Sequence, residues 1–277
     1  MADTRVNAPR TARERARAEL TREIKEEAKR QLAATGADGL SLRAVARALG
    51  MVSSALYRYY PSRDELLTAL IIDAYNALGE AAEQAIALPA GAGAAGGGVG
   101  GGGAVGGAGA DAVGAAARGR WVAACYAIRD WARANPHEYA LIYGSPVPGY
   151  RAPQATVGPA ARVPLAFVGL LVSAAASGEL TSREPGWEES LRVDGELAVQ
   201  AASLATTLQT PDVPPDALVR CVIAWTQLFG MISFELFGQF VGSFDPPDAF
   251  FAHAVAQFAS FVGLHGPAAQ LPPNNSN

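Results

Sequence analysis

Apolar residues recur at helical spacing along most of this chain, with charged residues on the remaining faces of several segments. Alanine is abundant and has the highest helix propensity of all residues. Long alternations of valine, isoleucine and threonine, which would predict strands, do not occur in the sequence. The pattern predicts an all-α fold, with helices over about residues 11–35, 42–49, 52–59, 63–88, 111–135, 160–177, 188–208, 215–240 and 247–264.

The second and third of these helices are short and are separated by a tight turn at Gly50. Ser41 is placed to cap the first helix of the pair, and Pro61 ends the second. Ser62 and Glu65 then form the capping box of the fourth helix. Two short helices around a tight turn predict a helix-turn-helix, whose second helix enters the major groove of DNA.

Charge is distributed unevenly along the chain. The 65 N-terminal residues carry 13 basic and 9 acidic side chains, a balance of +4, whereas the remainder has 9 basic and 17 acidic side chains, a balance of −8. A basic head on an acidic body favours a polyanionic partner for the head alone. A solvated basic helix would show the same split, so the charge supports a DNA-binding head without requiring one.

Three motifs in this head resemble the TetR-type transcriptional regulators. They are the A-x-x-x-G turn at Ala46 and Gly50, the L-Y-R-Y-Y-P-S run at 56–62 and D-E-L-L at 64–67. The resemblance covers about residues 21–75. The stretch at 135–150, NPHEYALIYGSPVPGY, looks more loosely like an actinobacterial-type C-terminal domain. The resemblance implies a three-helix DNA-binding domain, a connecting fourth helix and a helical dimeric body.

The resemblance also implies which side chains contact DNA. Small residues at the start of the third helix would let it lie close to the bases, and hydroxyl and guanidinium groups would reach phosphates. Val52 departs from the small polar cap that is frequent in the family, Arg63 replaces a common lysine, and Tyr60 replaces a common phenylalanine with its ring in the core. The expected contact residues are Ser41, Arg43, Ser53, Ser54, Ala55, Tyr57, Arg58, Tyr59 and Arg63.

A glycine-rich tract interrupts the helical pattern, with 13 glycines among residues 91–114. Gly98, Gly100 and Gly103 match a GxGxxG pattern, but no strand signal precedes them, so a flexible linker is the better interpretation. The predicted organisation is a helix-turn-helix domain at 11–62, a connecting helix at 63–88, a flexible segment at 89–114, a ligand-binding and dimerisation domain at 115–265 and a disordered tail at 266–277.

Aromatic residues are spread through the helices of the predicted body. They can line an apolar pocket for a small hydrophobic or aromatic ligand, as the family resemblance implies, or they can simply pack the core. The candidate ligand-binding residues are Trp121, Tyr126, Trp131, Tyr139, Tyr143, Phe167, Trp225 and Phe229.

The last helix repeats Phe251, Val255, Phe258 and Val262 at helical steps, which predicts one continuous apolar face. This face can belong to the core or to an interface with a second copy. The family resemblance implies a four-helix bundle between two copies, so these residues are the expected dimer interface.

Residues that would support catalysis or metal binding are sparse. The chain has three histidines and two cysteines, without HExxH or CxxC spacing, so neither a metal nor another cofactor is expected. Cys125 and Cys221 lie in apolar stretches and are expected to be buried free thiols. The apolar stretch between Arg162 and Glu179 has 16 residues, too few to span a bilayer, and no signal peptide is evident.

Together these features predict a cytoplasmic, nucleoid-associated repressor. It would bind a pseudo-palindromic double-stranded operator as a homodimer and be released by a small molecule. The alternatives are a DNA-binding regulator without ligand control, and an enzyme with an accessory DNA-binding head.

Overall fold

A computed structural model describes residues 12–87, 111–180 and 193–264. The described helices are α1 (Ala12–Thr35), α2 (Leu42–Ala48), α3 (Ser53–Leu56), α4 (Arg63–Ala87), α5 (Asp111–Ala134), α6 (Pro136–Tyr143), α7 (Val157–Ala176), α8 (Gly195–Leu208), α9 (Pro215–Leu236) and α10 (Asp248–Val262). Short 3-10 helices cover Ala37–Gly39 and Gln154–Thr156. The all-α fold is confirmed. Most of the glycine-rich tract, including its GxGxxG match, and the C-terminal tail lie outside the described residues.

The chain forms two compact units, and the division falls inside α4. Of the described residues, 12–74 and 135–157 form the first unit, and 75–87, 111–134, 158–180 and 193–264 form the second. Residues 135–157, which the sequence predicts as part of the ligand-binding and dimerisation domain, group in this division with the helix-turn-helix. Lys29 on α1 forms an ion pair of 2.8 Å with Glu138 on α6. The Tyr150 hydroxyl lies 2.8 Å from the Thr68 hydroxyl on α4.

The core of the first unit is built from one apolar stripe on each helix. Helix α1 contributes Ile24, Ala28 and Leu32, which recur at i, i+4 and so lie on one face. The buried apolar residues of the neighbouring helices are Leu42, Val45 and Ala46 on α2, Leu56 on α3, and Leu66, Leu67, Leu70, Ile71 and Ala74 on α4.

Local capping sets the angle between α2 and α3. Gly50 has φ +65°, a left-handed conformation that side chains disfavour. The Gly50 N–H donates to the Arg47 carbonyl at 3.1 Å, and the Met51 N–H donates to the Ala46 carbonyl at 2.8 Å. These two bonds form a Schellman motif, which ends α2 and turns the chain toward α3.

Serine caps begin α2 and α4, as the sequence predicts. The Ser41 hydroxyl accepts the Ala44 N–H at 3.4 Å, and the Ser62 hydroxyl accepts the Glu65 N–H at 3.1 Å. Each cap satisfies an N–H that the helix itself leaves without an acceptor.

The second unit buries apolar faces of α5, α7, α9 and α10. Its largest fully buried side chains include Trp121 on α5, Phe167 on α7 and Phe251 on α10. By length and composition alone, residues 154–176 and 215–236 could cross a membrane. Packing explains part of their apolar character, because Leu170, Leu228 and other residues of α7 and α9 are buried. Only 28 % of the first apolar window and 50 % of the second are buried, however.

An arginine inside this core joins three helices. Arg129 on α5 is 2 % exposed. Its guanidinium donates to both carboxylate oxygens of Glu235 on α9, at 2.7 and 2.8 Å, and to Asp248 on α10 at 2.9 Å. The guanidinium also lies 4.4 Å from the centre of the Phe251 ring. Because the charge is paired and stacked, it can stay buried.

The expected dimer face of α10 instead packs inside its own protomer. Phe251, Val255 and Val262 are at most 1 % exposed, and Phe258 is half-buried. The assignment of the first three side chains to a dimer interface is therefore wrong. Helical spacing identified an apolar face correctly, but α5 and α9 of the same chain cover that face.

Both cysteines are free and buried, as the sequence predicts. Burial raises the pKa of the Cys221 thiol to about 12, and burial together with the nearby Cys221 raises the pKa of the Cys125 thiol. Since the thiolate is the reactive form, ionisation alone slows reaction of Cys221 at pH 8 by roughly 1000-fold, at tenfold per pKa unit.

We therefore expect iodoacetamide to leave both thiols of the native protein unmodified and to modify both in urea, as measured by mass spectrometry. A Ser203→Cys variant places a thiol on the exposed side of α8 and provides the positive control. Stoichiometric modification of native wild type within minutes would contradict the buried placement.

Candidate nucleic-acid interface

Five of the nine expected DNA-contacting residues are exposed. They are Arg43 on α2, Ser53 and Ser54 on α3, and Tyr57 and Arg58 in the turn that follows α3. Arg43, Arg58 and the neighbouring exposed Arg47 form no ion pair within 4 Å among the described residues. This part of the surface therefore combines uncompensated guanidinium groups with hydroxyls, the groups that contact phosphates and base edges.

The other four expected contacts, Ser41, Ala55, Tyr59 and Arg63, are half-buried. The Ser41 hydroxyl oxygen caps α2 and keeps its own proton available as a donor. Arg63 donates to the Ala37 carbonyl at 2.7 Å. That bond orients the guanidinium and leaves further N–H groups for a phosphate.

Helix α3 is shorter than the sequence predicts. It ends at Leu56, and turns continue to Tyr59 before Pro61. Val52 precedes the helix and makes no side-chain capping bond, as the departure from the family pattern suggests. Its side chain is 70 % exposed, so an apolar group takes the place of a polar cap at the start of this helix.

Tyr60 belongs to the core, as expected, since it is 8 % exposed. Burial and the negative charge of Asp73 raise the pKa of its hydroxyl to about 12. The hydroxyl therefore stays neutral and does not act as a charged group at this surface.

One contact at this surface was not expected from the sequence. The Arg17 guanidinium on α1 lies 5.2 Å from the centre of the Tyr59 ring. Arg17 lies on the same face of α1 as Thr21, Ile24 and Ala28. Helical periodicity could therefore have predicted that Arg17 faces the rest of the unit. The contact itself joins residues 42 positions apart, which periodicity does not reveal.

The expected ligand-binding residues are divided between the two units. Tyr139 and Tyr143 lie on α6 of the first unit, with ring centres 5.3 Å apart. The other six lie in the second unit. Trp121 packs on Phe167 at 4.6 Å, and Trp225 on Phe229 at 6.0 Å.

Tyr126 and Trp131, also on α5, are half-buried. The Tyr126 ring packs edge-on against Phe251, with ring centres 5.2 Å apart.

Two indole N–H groups in the second unit are buried and have no acceptor among the described residues. They belong to Trp121, which is fully buried, and to Trp225, which is half-buried. A buried donor without a partner costs about 1–3 kcal/mol. A small molecule that brings an acceptor to either indole would recover that free energy. Among the described residues, no group of three or more His, Cys, Asp or Glu side chains could hold a metal ion.

The fold and this surface define a helix-turn-helix regulator, and comparison with known proteins identifies its family. The family described as bacterial regulatory proteins, tetR family, matches residues 24–70, and the tetracyclin repressor-like C-terminal domain matches residues 121–258. The HTH-type transcriptional regulators Mb1846 of Mycobacterium bovis and Rv1816 of Mycobacterium tuberculosis are each 38 % identical over 232 residues. The matches cover 81 % of this chain and 84 % of each relative.

Solved structures share the fold. The crystal structure of the regulatory protein SCO4313 is 33 % identical, with a TM-score of 0.63, and the match covers 91 % of this chain and all of that chain. A Rhodococcus protein of unknown function, 20 % identical with a TM-score of 0.57, shares the fold. The chain belongs to the TetR family of transcriptional regulators.

Proposed function

We propose that this protein is a cytoplasmic repressor that binds a pseudo-palindromic operator as a homodimer and releases it when a small apolar or aromatic ligand binds the helical body. The observation that carries the proposal is that the helix-turn-helix exposes polar and basic side chains on one face and buries apolar side chains on the other. Arg43, Ser53, Ser54 and Tyr57 are exposed. The larger apolar residues of α2 and α3, which are Leu42, Val45 and Leu56, are buried. Such a surface suits major-groove recognition.

The outward face of α9 is the proposed dimer interface. Val222, Ile223 and Phe234 of α9, and Phe237 directly after it, are each more than 40 % exposed. Nine other residues of α9 are buried. Gly230 lies between the two pairs, and a Cβ added there would have open space around it, so a second helix can approach closely. An exposed apolar face of this length is typical of an interface with a second copy.

A ligand in the body would act on the second half of α4. Arg162 on α7 donates to both carboxylate oxygens of Glu83, at 2.9 and 2.6 Å, and to the Asn76 carbonyl at 2.8 Å. Gly79 lies directly beside Arg162, where a Cβ would come within 2.6 Å of the arginine Cβ. Because α7 and α4 are clamped in this way, a ligand that displaces α7 would also displace α4. Such a ligand shifts the equilibrium only by its differential affinity for the two states.

Variants of the helix-turn-helix test where DNA binds. We expect Arg43→Ala and Tyr57→Ala each to weaken binding to an operator selected by the wild-type protein from a random duplex library. A base contact is worth about 1–3 kcal/mol, which corresponds to a roughly 5- to 150-fold change in Kd. Fluorescence anisotropy with a labelled operator measures the Kd.

Arg30→Ala is the matched control, since Arg30 is an exposed arginine on α1 paired with Glu27. It removes the same charge without altering the helix-turn-helix. Wild-type affinity in both test variants would show that the recognition helix has been assigned to the wrong residues. Failure of every small aromatic compound in a screen to release the operator would favour a regulator without ligand control.

A further inference from the structure

Helix α1 is longer than the core of the first unit requires. Its buried residues begin at Ile24, and residues 12–19 are all exposed. At 1.5 Å per residue, these eight positions extend the helix by about 12 Å beyond the part that packs. Core packing therefore does not account for this extension.

The charges of the extension also work against helix stability. Arg13, Arg15 and Arg17 lie in the first two turns, against one acidic residue, Glu14, in the first turn. The partial positive charge at a helix N-terminus favours acidic residues there and disfavours basic ones. Glu19 is paired with Arg22, which lowers the pKa of the Glu19 carboxyl, and so its charge is compensated within the helix. The arginines leave the exposed end of α1 basic.

One face of the extension points toward the DNA-binding residues. Arg17 lies over the ring of Tyr59, a residue to which the family resemblance assigns a phosphate contact. Arg13 is four positions earlier and so lies one turn further out on the same face. The ring restricts the Arg17 side chain and lowers the entropy that the guanidinium would lose on binding a phosphate.

We propose that Arg13 and Arg17 form a second DNA-contacting element, which binds the phosphate backbone beside the recognition helix independently of base sequence. Guanidinium groups suit this role because they bind phosphate oxygens through paired N–H donors. The proposal rests on the proposed DNA-binding function. It adds about two phosphate contacts per protomer to those of the helix-turn-helix.

The salt dependence of binding to non-specific DNA tests this element. The probe is a labelled 30-base-pair duplex of mixed sequence, titrated with the full-length protein at several KCl concentrations. Each phosphate contact contributes about −0.9 to the slope of log K against log salt. We expect R13Q/R17Q to reduce the slope by about 1.8 per protomer and to weaken binding by at least roughly tenfold at 100 mM KCl.

The matched control is R15Q/R22Q, which removes the same formal charge from the opposite side of α1. We expect it to change the slope by less than about 0.5. Equal losses in the two double variants would show an effect of net charge alone and would overturn the proposal, as would a wild-type slope in R13Q/R17Q. If wild type binds no duplex at any salt concentration, the DNA-binding function itself fails, which is a separate outcome. Circular dichroism confirms that each variant is folded, since all four side chains are exposed.

Discussion

Phe234→Asp is expected to convert the proposed dimer to monomers and to abolish tight operator binding. Phe234 is 54 % exposed and lies on the outward face of α9 between Gly230 and Phe237. In a two-fold symmetric interface each residue occurs twice, so the variant introduces two charges into an apolar contact. A buried charge without a partner costs several kcal/mol, and a stable dimer does not tolerate two.

Loss of the dimer should lower operator affinity by several orders of magnitude, because a single head reads only one half-site. Two linked heads bind with an affinity that can exceed that of one head by about 100- to 10 000-fold. Analytical ultracentrifugation gives the mass of the protein, and fluorescence anisotropy gives the operator Kd of the same samples.

Leu165→Asp is the matched control for this variant. Leu165 lies on α7 and is 47 % exposed, so it has comparable exposure on a different helix. It should remain dimeric with unchanged affinity. A monomeric wild type, or a Phe234→Asp protein that stays dimeric, would show that the outward face of α9 is not a dimer interface.

The second large effect is expected at Arg129, where methionine should lower the free energy of unfolding by about 3–5 kcal/mol. Arg129 is the central cation for Glu235 and Asp248, and Glu235 is itself only 11 % exposed. Methionine retains much of the side-chain volume, so most of the loss comes from a buried carboxylate deprived of its bidentate partner.

Arg133→Met provides a comparison one helical turn away on α5. Arg133 approaches the same two carboxylates at 3.7 and 3.6 Å but is 51 % exposed. Exposed ion pairs contribute about 0–1 kcal/mol, so this variant should lose no more than that. Urea unfolding followed by circular dichroism gives both values. Equal losses in the two variants would show that burial of the Arg129 network contributes nothing to stability.

Local structure in the first unit was determined by residues close together in the chain. Gly50 ends α2, because it adopts the left-handed conformation at little cost. Ser41 and Ser62 begin the next helices by accepting N–H groups three residues away. Interactions of this range depend only on neighbouring residue types, and for that reason the helix-turn-helix could be predicted from the sequence.

The pairing of helix faces was decided only by the tertiary structure. The apolar repeat Phe251, Val255 and Val262 predicted a buried face of α10 but not whether this chain or a second copy covers it. Hydrophobic burial is non-directional, so an apolar stripe does not specify its partner. The same limit applies to α6, which the sequence predicts as part of the body and which packs on α1.

Contacts between residues that are far apart in the sequence also could not be predicted from the sequence. Arg129 meets Glu235 across 106 positions, and Arg17 meets Tyr59 across 42. The sequence determined that these helices form and that the head is basic, but α3 and α9 end earlier than the sequence predicts. Helix packing decides which arginine forms a buried ion pair between helices and which lies beside the recognition helix. A charged side chain meets its partner only after the backbone has brought the two residues together.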